Sequence, residues 1–346
     1  MRALVYRSPD GLVLEERPIP SPGPGEAVVK VEACSICGTD LRIASGGHRA
    51  FSDGVVRVPG HEIAGVVSAV GAGVALSEGE SVFVAPNYGC GNCRWCRRGD
   101  VNMCESQRAL GITDDGAFAE YTLLPRELVS QGNVMATGGD LSPAVLALVE
   151  PLACVLRGAR ACSIQAGDVV VVFGAGPIGL LFVKLAQLAG AAHVVVANRG
   201  AERRQRALEW GASAAFDPDT ESPAGVLESL GATRGADVVI VAAPAASAQQ
   251  QALELAGPGG RINFFGGLPR GASSVELDTN LIHYKELVVT GTTANTNDDC
   301  SAALALVRDG EVDTASLIDA RFELEEASEA FALASSGRAL KVVIEP

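Results

Sequence analysis

The spacing of apolar residues changes character near the middle of the chain. Up to about residue 150, short apolar stretches alternate with breaks rich in glycine and proline, a pattern typical of short strands joined by turns. Beyond residue 153, apolar runs alternate with segments of helical spacing, which predicts a parallel sheet with crossover helices. The predicted strands are 4–6, 27–32, 63–70, 81–85, 169–173, 193–197, 237–241, 261–265, 287–290 and 341–344. The predicted helices are 178–189, 202–210, 299–309 and 325–335.

These elements predict an α/β protein of two domains. Residues 1–152 read as an irregular β-domain with a cysteine-rich lobe at about 88–106. Residues 153–295 read as a doubly wound parallel sheet of the Rossmann type, and residues 296–346 as a C-terminal segment of two helices and a strand. A chain of 346 residues is long enough to build two separate cores.

Composition and charge restrict the partners. Hydrophobic residues make up 48% and charged residues 20%, as in ordinary globular proteins. The formal net charge of −14 argues against binding to nucleic acid or to an anionic membrane surface. No apolar run reaches the roughly 18 residues that a membrane span needs, and the first residues lack the pattern of a signal peptide. We therefore expect a cytoplasmic protein with no membrane or nucleic-acid partner.

Four of the nine cysteines are crowded into one short segment. They are Cys90, Cys93, Cys96 and Cys104. The spacing C-x2-C-x2-C-x7-C allows a tight loop to place four thiolates around a tetrahedral ion, which predicts a closed, structural zinc site. An iron–sulfur cluster would accept the same four thiolates. Unligated thiols in a loop rich in arginine would be exposed to oxidation, which disfavours the reading without a metal.

A second set of metal-binding residue types is spread along the first domain. Cys37–Asp40 follows a strand on a predicted loop, Gly60 precedes His61 and Glu62, and Glu150 stands before Pro151. A lone cysteine, histidine or glutamate is usually a core residue, a surface residue or a helix start. Together, cysteine, histidine and carboxylate predict a three-point zinc site with a position open to substrate.

A glycine-rich turn opens the second domain. It follows strand 169–173 and precedes helix 178–189, and its members are Gly174, Gly176, Pro177, Ile178 and Gly179. G-x-G-x-x-G between a strand and a helix allows pyrophosphate to approach the helix N-terminus closely. This context predicts a dinucleotide site rather than an incidental turn.

The end of the next strand bears on the choice of cofactor. NAD-binding sites usually carry an acidic residue about 20 residues after the glycine-rich turn, where this chain has Asn198 and Arg199. Arg203 and Arg204 follow on the predicted helix. A guanidinium suits a 2′-phosphate, so we expect NADP to be preferred over NAD. Alternatively, these arginines form a solvated helix face.

These motifs together resemble the zinc-containing medium-chain dehydrogenase/reductase family, and within it the sorbitol and threonine dehydrogenase-like branch. The resemblance covers essentially the whole chain and rests on Cys-Gly-Thr-Asp at 37–40, Pro-Gly-His-Glu at 59–62, the four cysteines, Glu-Pro-Leu at 150–152 and the glycine-rich turn. It implies a GroES-like catalytic domain, a Rossmann domain and a C-terminal segment that returns to the first domain.

The resemblance also implies roles for single residues. Catalytic zinc would be held by Cys37, His61 and a third position matching Glu150, with Glu62 able to bind or exchange. Glu150 would act directly or through a water, and Cys154 is the alternative ligand because it lies one helical turn further on. Cys34, Cys162 and Cys300 match no ligand position and are expected in the core.

The proton relay departs from the family pattern at one position. Thr39 matches the hydroxyl that passes on the alcohol proton, and Asp40 matches the carboxylate that orients the zinc-bound histidine. Many relatives carry a histidine three residues after this threonine, where this chain has Arg42, which cannot deprotonate. His48 is a candidate substitute, a pocket residue or a plain loop histidine.

The predicted activity is reversible hydride transfer between a polar secondary alcohol (a polyol, sugar or cyclitol) and NADP(H), with zinc as Lewis acid. His283 and Tyr284 align with substrate-contacting positions of the polyol-type branch, or are interface or core residues. The alternatives are an NAD-dependent dehydrogenase of simple alcohols or of a hydroxy amino acid such as threonine, a zinc-free quinone reductase of the same fold, and a non-catalytic zinc- and nucleotide-binding protein. A homodimer or homotetramer is expected.

Overall fold

The chain divides into two compact units, described by a computed structural model over residues 1–8, 10–269 and 271–346. The first unit joins Met1–Ala153 to Ala294–Pro346, and the second is Cys154–Thr293. The first unit is therefore built from both ends of the chain. Within the described part of the chain, no helix has the length and apolar character that a membrane crossing requires.

The N-terminal part of the first unit is mostly strand. Its strands are β1 Arg2–Arg7, β2 Gly11–Glu16, β3 Ala27–Ser35, β4 Val56–Arg57, β5 Glu62–Val70, β6 Ser81–Val84, β7 Asn87–Tyr88, β8 Arg108–Ala109, β9 Tyr121–Leu124 and β10 Val134–Ala136. Its helices are α1 Gly38–Ala44, α2 Arg126–Ser130, α3 Pro143–Ala147 and α4 Val149–Cys162, with 3-10 turns at Cys96–Arg98 and Val101–Met103. The helix α4 crosses the boundary between the two units.

The second unit alternates strands and helices. Its strands are β11 Val169–Phe173, β12 His193–Ala197, β13 Ala214–Phe216, β14 Ala236–Val241, β15 Ala256–Phe264 and β16 Val288–Gly291. Its further helices are α5 Pro177–Leu188, α6 Ala201–Glu209, α7 Pro223–Ser229, α8 Ala246–Leu255 and α9 Thr279–Tyr284. The chain then returns to the first unit with α10 Asn297–Arg308, β17 Ile318–Glu323, α11 Ala327–Ser335 and β18 Lys341–Glu345, with 3-10 turns at Ala315–Leu317 and Leu324–Glu326.

A seven-stranded sheet organises the first unit. Its order is β10-β6-β5-β3-β18-β17, with β9 also paired to β3. Along β3, exposed Lys30 and Glu32 alternate with buried valine and alanine, the period of two expected for a sheet with one buried face. The far end of β3 is buried altogether, because Ser35 pairs with Glu62 of β5 on one side and with Val343 of β18 on the other. The last strand of the chain is thereby placed beside His61 and Glu62.

The six-stranded sheet of the second unit is parallel throughout. Its order, β13-β12-β11-β14-β15-β16, is the Rossmann order. The central strand β11 is buried on both faces, which explains why its sequence is an unbroken apolar run rather than an alternation. The glycine-rich turn leaves this sheet at the carboxyl end of β11, where dinucleotides bind in such folds.

Candidate active site

The segment Cys37–Asp40 begins a helix, so the loop expected there is wrong. Cys37 is the N-cap of α1, and the Asp40 carboxylate accepts the Cys37 backbone N–H at 2.9 Å. An acidic side chain three residues after the cap satisfies one of the unpaired N–H groups at a helix start. The helix was missed because glycine and threonine at its start are weak helix formers. Cys37 and Thr39 therefore lie in the first turn of α1, shortly after the end of β3.

Three of the predicted metal ligands come together. The donor atoms of Cys37, His61 and Glu62 all lie within 4.8 Å of one another. His61 is 6% exposed and Glu62 is fully buried, while Cys37 is partly exposed. A thiol, an imidazole and a carboxylate converging at one point, with one side accessible, match the donor set of a zinc site that has an open position. Cys154, on α4, is partly buried.

Asp40 and His61 face each other in the buried part of this group. The distance from His61 Nδ1 to Asp40 Oδ1 is 3.5 Å, and neither atom has a hydrogen-bond partner within the described residues. Burial opposes a charge on the ring, but the Asp40 carboxylate and the Cys37 thiol together raise the pKa of His61 well above its ordinary value. An ion bound at the other ring nitrogen would replace the proton there and leave Nδ1 directed at the Asp40 carboxylate.

Glu62 is held by residues from two neighbouring strands. Its Oε2 accepts a hydrogen bond from the Ser35 hydroxyl and forms a buried ion pair with Lys341 of β18. Lys341 Nζ also donates to the carbonyl of Ile36 at 3.2 Å. Burial opposes the Lys341 charge, but Glu62 and Cys37 raise the pKa of its amine above the ordinary value. A fully buried carboxylate is thereby paired rather than isolated, as burial requires.

Glu150 lies near this group but is held by an amide. It is buried in the first turn of α4, and its Oε1 accepts a hydrogen bond from Asn295 Nδ2 at 2.6 Å. Asn295 in turn accepts from Asn87 at 2.9 Å. Burial raises the pKa of Glu150, His61 opposes the shift and Glu62 adds to it. This electrostatic coupling indicates that Glu150 lies close to the ligand group, although it is outside the three converging donors.

The outer side of the group carries positive charge. Arg42 Nη2 donates a hydrogen bond to Thr39 Oγ1 at 3.1 Å. His48 is half-buried, accepts the Ala50 backbone N–H on Nδ1 at 3.2 Å and packs its ring against Phe51. Burial lowers the pKa of His48, and Arg42 and Arg49 lower it further. Arg42 therefore holds Thr39 at the position where many relatives carry a histidine. The nearby loop contributes His48 with a neutral imidazole ring.

The four cysteines of the lobe also converge. Their sulfur atoms lie within 4.8 Å of one another, and Cys93 and Cys96 are 3.5 Å apart. All four are free thiols. Backbone N–H groups around Asn92 and Cys93 lower the pKa of Cys90 to about 6, whereas burial raises the pKa of Cys96 to about 12. A bound cation would stabilise all four thiolates in a closed site.

The glycine-rich turn has the geometry that its sequence predicts. Gly174 adopts a φ of +104°, a conformation that side chains disfavour. A Cβ at Gly179 would fall on the Gly174 carbonyl, whereas one at Gly176 would meet nothing within 4 Å. Gly176 is the N-cap of α5 and Pro177 its first residue, followed by Ile178. The turn therefore presents open backbone at the start of a twelve-residue helix.

The residues after β12 that were predicted to bind the cofactor differ from one another in burial and in hydrogen-bond partners. Asn198 Oδ1 accepts the Ala175 backbone N–H at 3.2 Å, which ties the end of β12 to the glycine-rich turn. Arg204 is largely buried, and its Nη1 donates to the carbonyls of Asn198 and Arg199 and to Asp217. Arg199 is 69% exposed and pairs with Asp219 at 2.8 Å. The Arg204 guanidinium thus stabilises the fold, while Arg199 lies at the surface. Arg203 lies in the first turn of α6, with its Nη1 3.5 Å from the Ala175 carbonyl oxygen.

The proposed substrate residues lie at the end of α9 rather than on a strand. His283 and Tyr284 stack edge to face with ring centroids 4.8 Å apart. Tyr284 is 79% exposed, so the core alternative is wrong for it.

Three cysteines outside the two ligand groups, Cys34, Cys162 and Cys300, are buried, as expected for core cysteines. Burial raises the pKa of Cys162 to about 12 and those of the other two thiols well above the ordinary value.

Sequence reasoning missed three residues of this site. Ser35, Asn295 and Lys341 contact Glu62 or Glu150 directly. A lysine at the start of an otherwise apolar final strand was the one available signal, since its neighbours predict burial on both faces. No sequence pattern around Lys341 indicated that its partner is Glu62.

Two family models match the chain. Residues 23–133 match the alcohol dehydrogenase GroES-like domain, and residues 177–309 match the zinc-binding dehydrogenase model. An L-threonine 3-dehydrogenase of Pyrococcus furiosus is 33% identical over 350 residues, which cover 99% of this chain and 98% of that protein.

Solved structures agree with this similarity. A zinc-binding dehydrogenase of Sinorhizobium meliloti 1021 bound to NADP is 36% identical, with a TM-score of 0.90 over 100% of this chain and 99% of that chain. An alcohol dehydrogenase of Escherichia coli CFT073 complexed with NADH is 29% identical, with a TM-score of 0.91 over the same shares of the two chains.

Proposed function

Since the chain belongs to the zinc-containing medium-chain dehydrogenase/reductase family, we propose that it transfers hydride between a polar secondary alcohol and NADP(H). Membership makes the protein a zinc-dependent oxidoreductase that uses a nicotinamide nucleotide. The alcohol class, the NADP preference and the residue roles belong to the proposal. The observation that carries it is the convergence of the donor atoms of Cys37, His61 and Glu62 within 4.8 Å of one another.

The residues of this group suit a zinc ion. Cys37 and His61 offer a sulfur and a nitrogen, and Glu62 and the nearby Glu150 offer carboxylate oxygens. The orphaned atoms His61 Nδ1 and Asp40 Oδ1 fit a ring that turns its other nitrogen to a cation while Asp40 orients it. When bound, zinc supplies Lewis-acid polarisation of the alcohol oxygen.

Thr39 carries the proton transfer in this proposal. Its oxygen has two lone pairs and one hydrogen, and Arg42 occupies one of the lone pairs. The second lone pair remains for the alcohol hydroxyl, and the Thr39 hydrogen then passes outward to water. Arg42 orients the hydroxyl and cannot itself accept the proton.

A second, structural zinc ion is proposed for the cysteine lobe. Four sulfur atoms within 4.8 Å of one another leave no ligand position for a substrate. The loop geometry suits either a zinc ion or an iron–sulfur cluster. The similarity to zinc-binding dehydrogenases favours zinc. We therefore propose one closed and one open zinc site in each chain.

The preference for NADP rests on residues 198 and 199. Asn198 uses its side chain to hold the glycine-rich turn, and no carboxylate stands at the strand end to accept the ribose hydroxyls. The exposed Arg199 would exchange its pairing with Asp219 for a 2′-phosphate. The Sinorhizobium relative bound to NADP supports this choice, and the Escherichia relative with NADH represents the alternative.

The substrate is proposed to be a polar secondary alcohol such as a polyol, a sugar or a cyclitol. Buried Glu150 with its amide partner Asn295 places hydrogen-bonding groups beside the ligand group, which suits a ligand with several hydroxyls. His283 and Tyr284 remain candidate substrate residues by their alignment with the polyol-type branch. Threonine with NAD is the second candidate, because a relative that spans the whole chain is an L-threonine 3-dehydrogenase.

The test of this function compares alcohols and cofactors side by side. Metal-loaded protein should oxidise polyols and cyclitols with higher kcat/KM than simple secondary alkanols, and with higher kcat/KM for NADP than for NAD. Superior alkanol turnover would contradict the polar-substrate part, and threonine as the best substrate would favour the second candidate. No hydride transfer with any alcohol would indicate the non-catalytic alternative.

The cofactor part has its own variant test. Arg199→Ala should lower kcat/KM for NADP by about tenfold, because a charged hydrogen bond to the 2′-phosphate is lost, and should leave the NAD value unchanged. Arg234→Ala, which removes an exposed arginine elsewhere in the second unit, is the matched control. Equal or better efficiency with NAD in the unmodified enzyme would refute the NADP preference.

A further inference from the structure

The ion pair between Lys341 and Glu62 is unusually deeply buried. Glu62 is fully buried and Lys341 is 4% exposed, yet Glu62 is itself one of the three converging donors. Removing two charges from water costs several kcal/mol per ion, which pairing and hydrogen bonds must offset. Lys341 of β18 thus places a positive charge next to side chains that could bind a cation.

The two oxygens of Glu62 are treated differently. Oε2 accepts from the Ser35 hydroxyl and pairs with Lys341. Oε1 is equally buried but has no hydrogen-bond partner in the described residues. A carboxylate tethered through one oxygen keeps the other oxygen unsatisfied, and the carboxylate lies within 4.8 Å of the Cys37 and His61 donor atoms.

Charge decides how such a site treats an alcohol. A divalent ion held by a thiolate and a full carboxylate, with a neutral imidazole, has no net positive charge left to favour loss of the alcohol proton. The nearby carboxyl of Glu150 makes the balance worse whenever it is ionised. The ammonium of Lys341 offsets one carboxylate and restores a positive balance in a medium where charges are weakly screened.

We propose that Lys341 is a positioning residue of the open metal site, which holds Glu62 back through Oε2 so that the carboxylate supports the ion without filling its substrate position. The proposal rests on the function given above. Without Lys341, the buried carboxylate would have lost its cation and would turn to the metal as a full ligand. Metal retention would then increase while catalysis falls.

Cobalt provides a readout that does not depend on turnover. In cobalt-substituted protein, Lys341→Met should weaken the visible d–d absorption, because an added carboxylate raises the coordination number. It should also slow removal of the open-site ion by a chelator and lower kcat/KM by about 10- to 100-fold. Lys341→Arg, which keeps the charge, should restore the parent absorption. The lobe cobalt is common to all variants and cancels in the difference spectra.

The double variant makes the test decisive. Lys341→Met should have no effect on absorption or chelation rate when Glu62→Gln is already present, because the competing carboxylate is gone. This comparison also serves if Lys341→Met alone does not fold, since the double variant leaves no unpaired buried charge. An unchanged spectrum in Lys341→Met, or an effect that persists in the Glu62→Gln background, would overturn the proposal. Absence of alcohol oxidation with these spectra intact would count against the proposed function instead.

Discussion

Thr39 is held by a guanidinium, and this decides where the proton can go. Arg42 donates to Thr39 Oγ1 at 3.1 Å from an exposed side chain. Arginine has no acceptor lone pair and does not deprotonate in proteins, so it can orient the hydroxyl but cannot extend a relay. In the proposed reaction, the group that transfers the proton at this position is the threonine hydroxyl itself.

This arrangement predicts unequal effects at two neighbouring residues. Thr39→Val should lower kcat by about 10²-fold or more, because the proton-transfer group is removed, while Thr39→Ser should retain most of the activity. Arg42→Met should cost at most roughly tenfold, the loss of one exposed hydrogen bond. Steady-state kinetics on one alcohol measures both. Equal losses in Thr39→Val and Arg42→Met would mean that Arg42 takes part in the proton path.

Among the elements, the glycine-rich turn separates folding from cofactor binding. A side chain at Gly179 would collide with the Gly174 carbonyl inside the turn, whereas Gly176 has open space around its Cα. We propose that the open space at Gly176 is where the backbone approaches the pyrophosphate of the cofactor. Gly179 is therefore expected to be required for folding of the turn and Gly176 for cofactor binding, although both are glycines of one motif.

Alanine substitutions should show this difference. Gly179→Ala should destabilise the protein without ligand by roughly 1–3 kcal/mol, because the turn must open to admit the methyl group. Gly176→Ala should leave the melting temperature of the free protein unchanged and weaken NADPH binding. Thermal unfolding with and without NADPH, together with a fluorescence titration, gives both quantities. A Gly176→Ala protein that melts early would contradict the assignment.

The two cysteine-containing elements are expected to differ in the same manner. The unmodified protein should hold about two zinc ions per chain, one closed and one open. Cys93→Ser should lose the lobe ion and lower the melting temperature, since structural zinc contributes to folding. Cys37→Ser should lose activity and the other ion with the fold retained. Elemental analysis, with melting curves, checks this; fully active protein holding one ion or none would contradict it.

At the scale of the whole molecule, one edge strand of the second unit carries an exposed apolar side chain. The strand β16 ends the six-stranded sheet, and Val288 on it is 52% exposed. Tyr284, just before it, is exposed too. An unpaired edge with apolar side chains is a template for another strand, and in a homo-oligomer the same strand of a second copy can pair with it.

We expect the protein to be a homodimer or homotetramer that uses this edge. Val288→Asp should shift the molecular mass measured by light scattering toward that of one chain. Leu208→Asp, which adds the same charge at an exposed apolar residue of α6, should leave the mass unchanged. A monomeric unmodified protein, or a dimer insensitive to Val288→Asp, would contradict this expectation.

The chain itself predicted most of the framework. The strands β11 and β12 have the predicted bounds, because strands buried on both faces are continuous apolar runs. The family matches confirm the predicted fold class and the predicted reaction class. The errors lie where local preference misled: α1 begins with glycine and threonine, and β15 begins at Ala256 although its first five residues contain three glycines and a proline.

The sequence by itself determined what is local. The four lobe cysteines span 15 residues and the glycine-rich turn 6, so spacing alone carries their geometry. Only the tertiary structure decided which residues control Glu62 and Glu150. Lys341 lies 279 residues from Glu62, and Asn295 lies 145 residues from Glu150. No local pattern encodes such a contact, because it forms only when the last strand enters the first sheet and each buried charge must find a partner there.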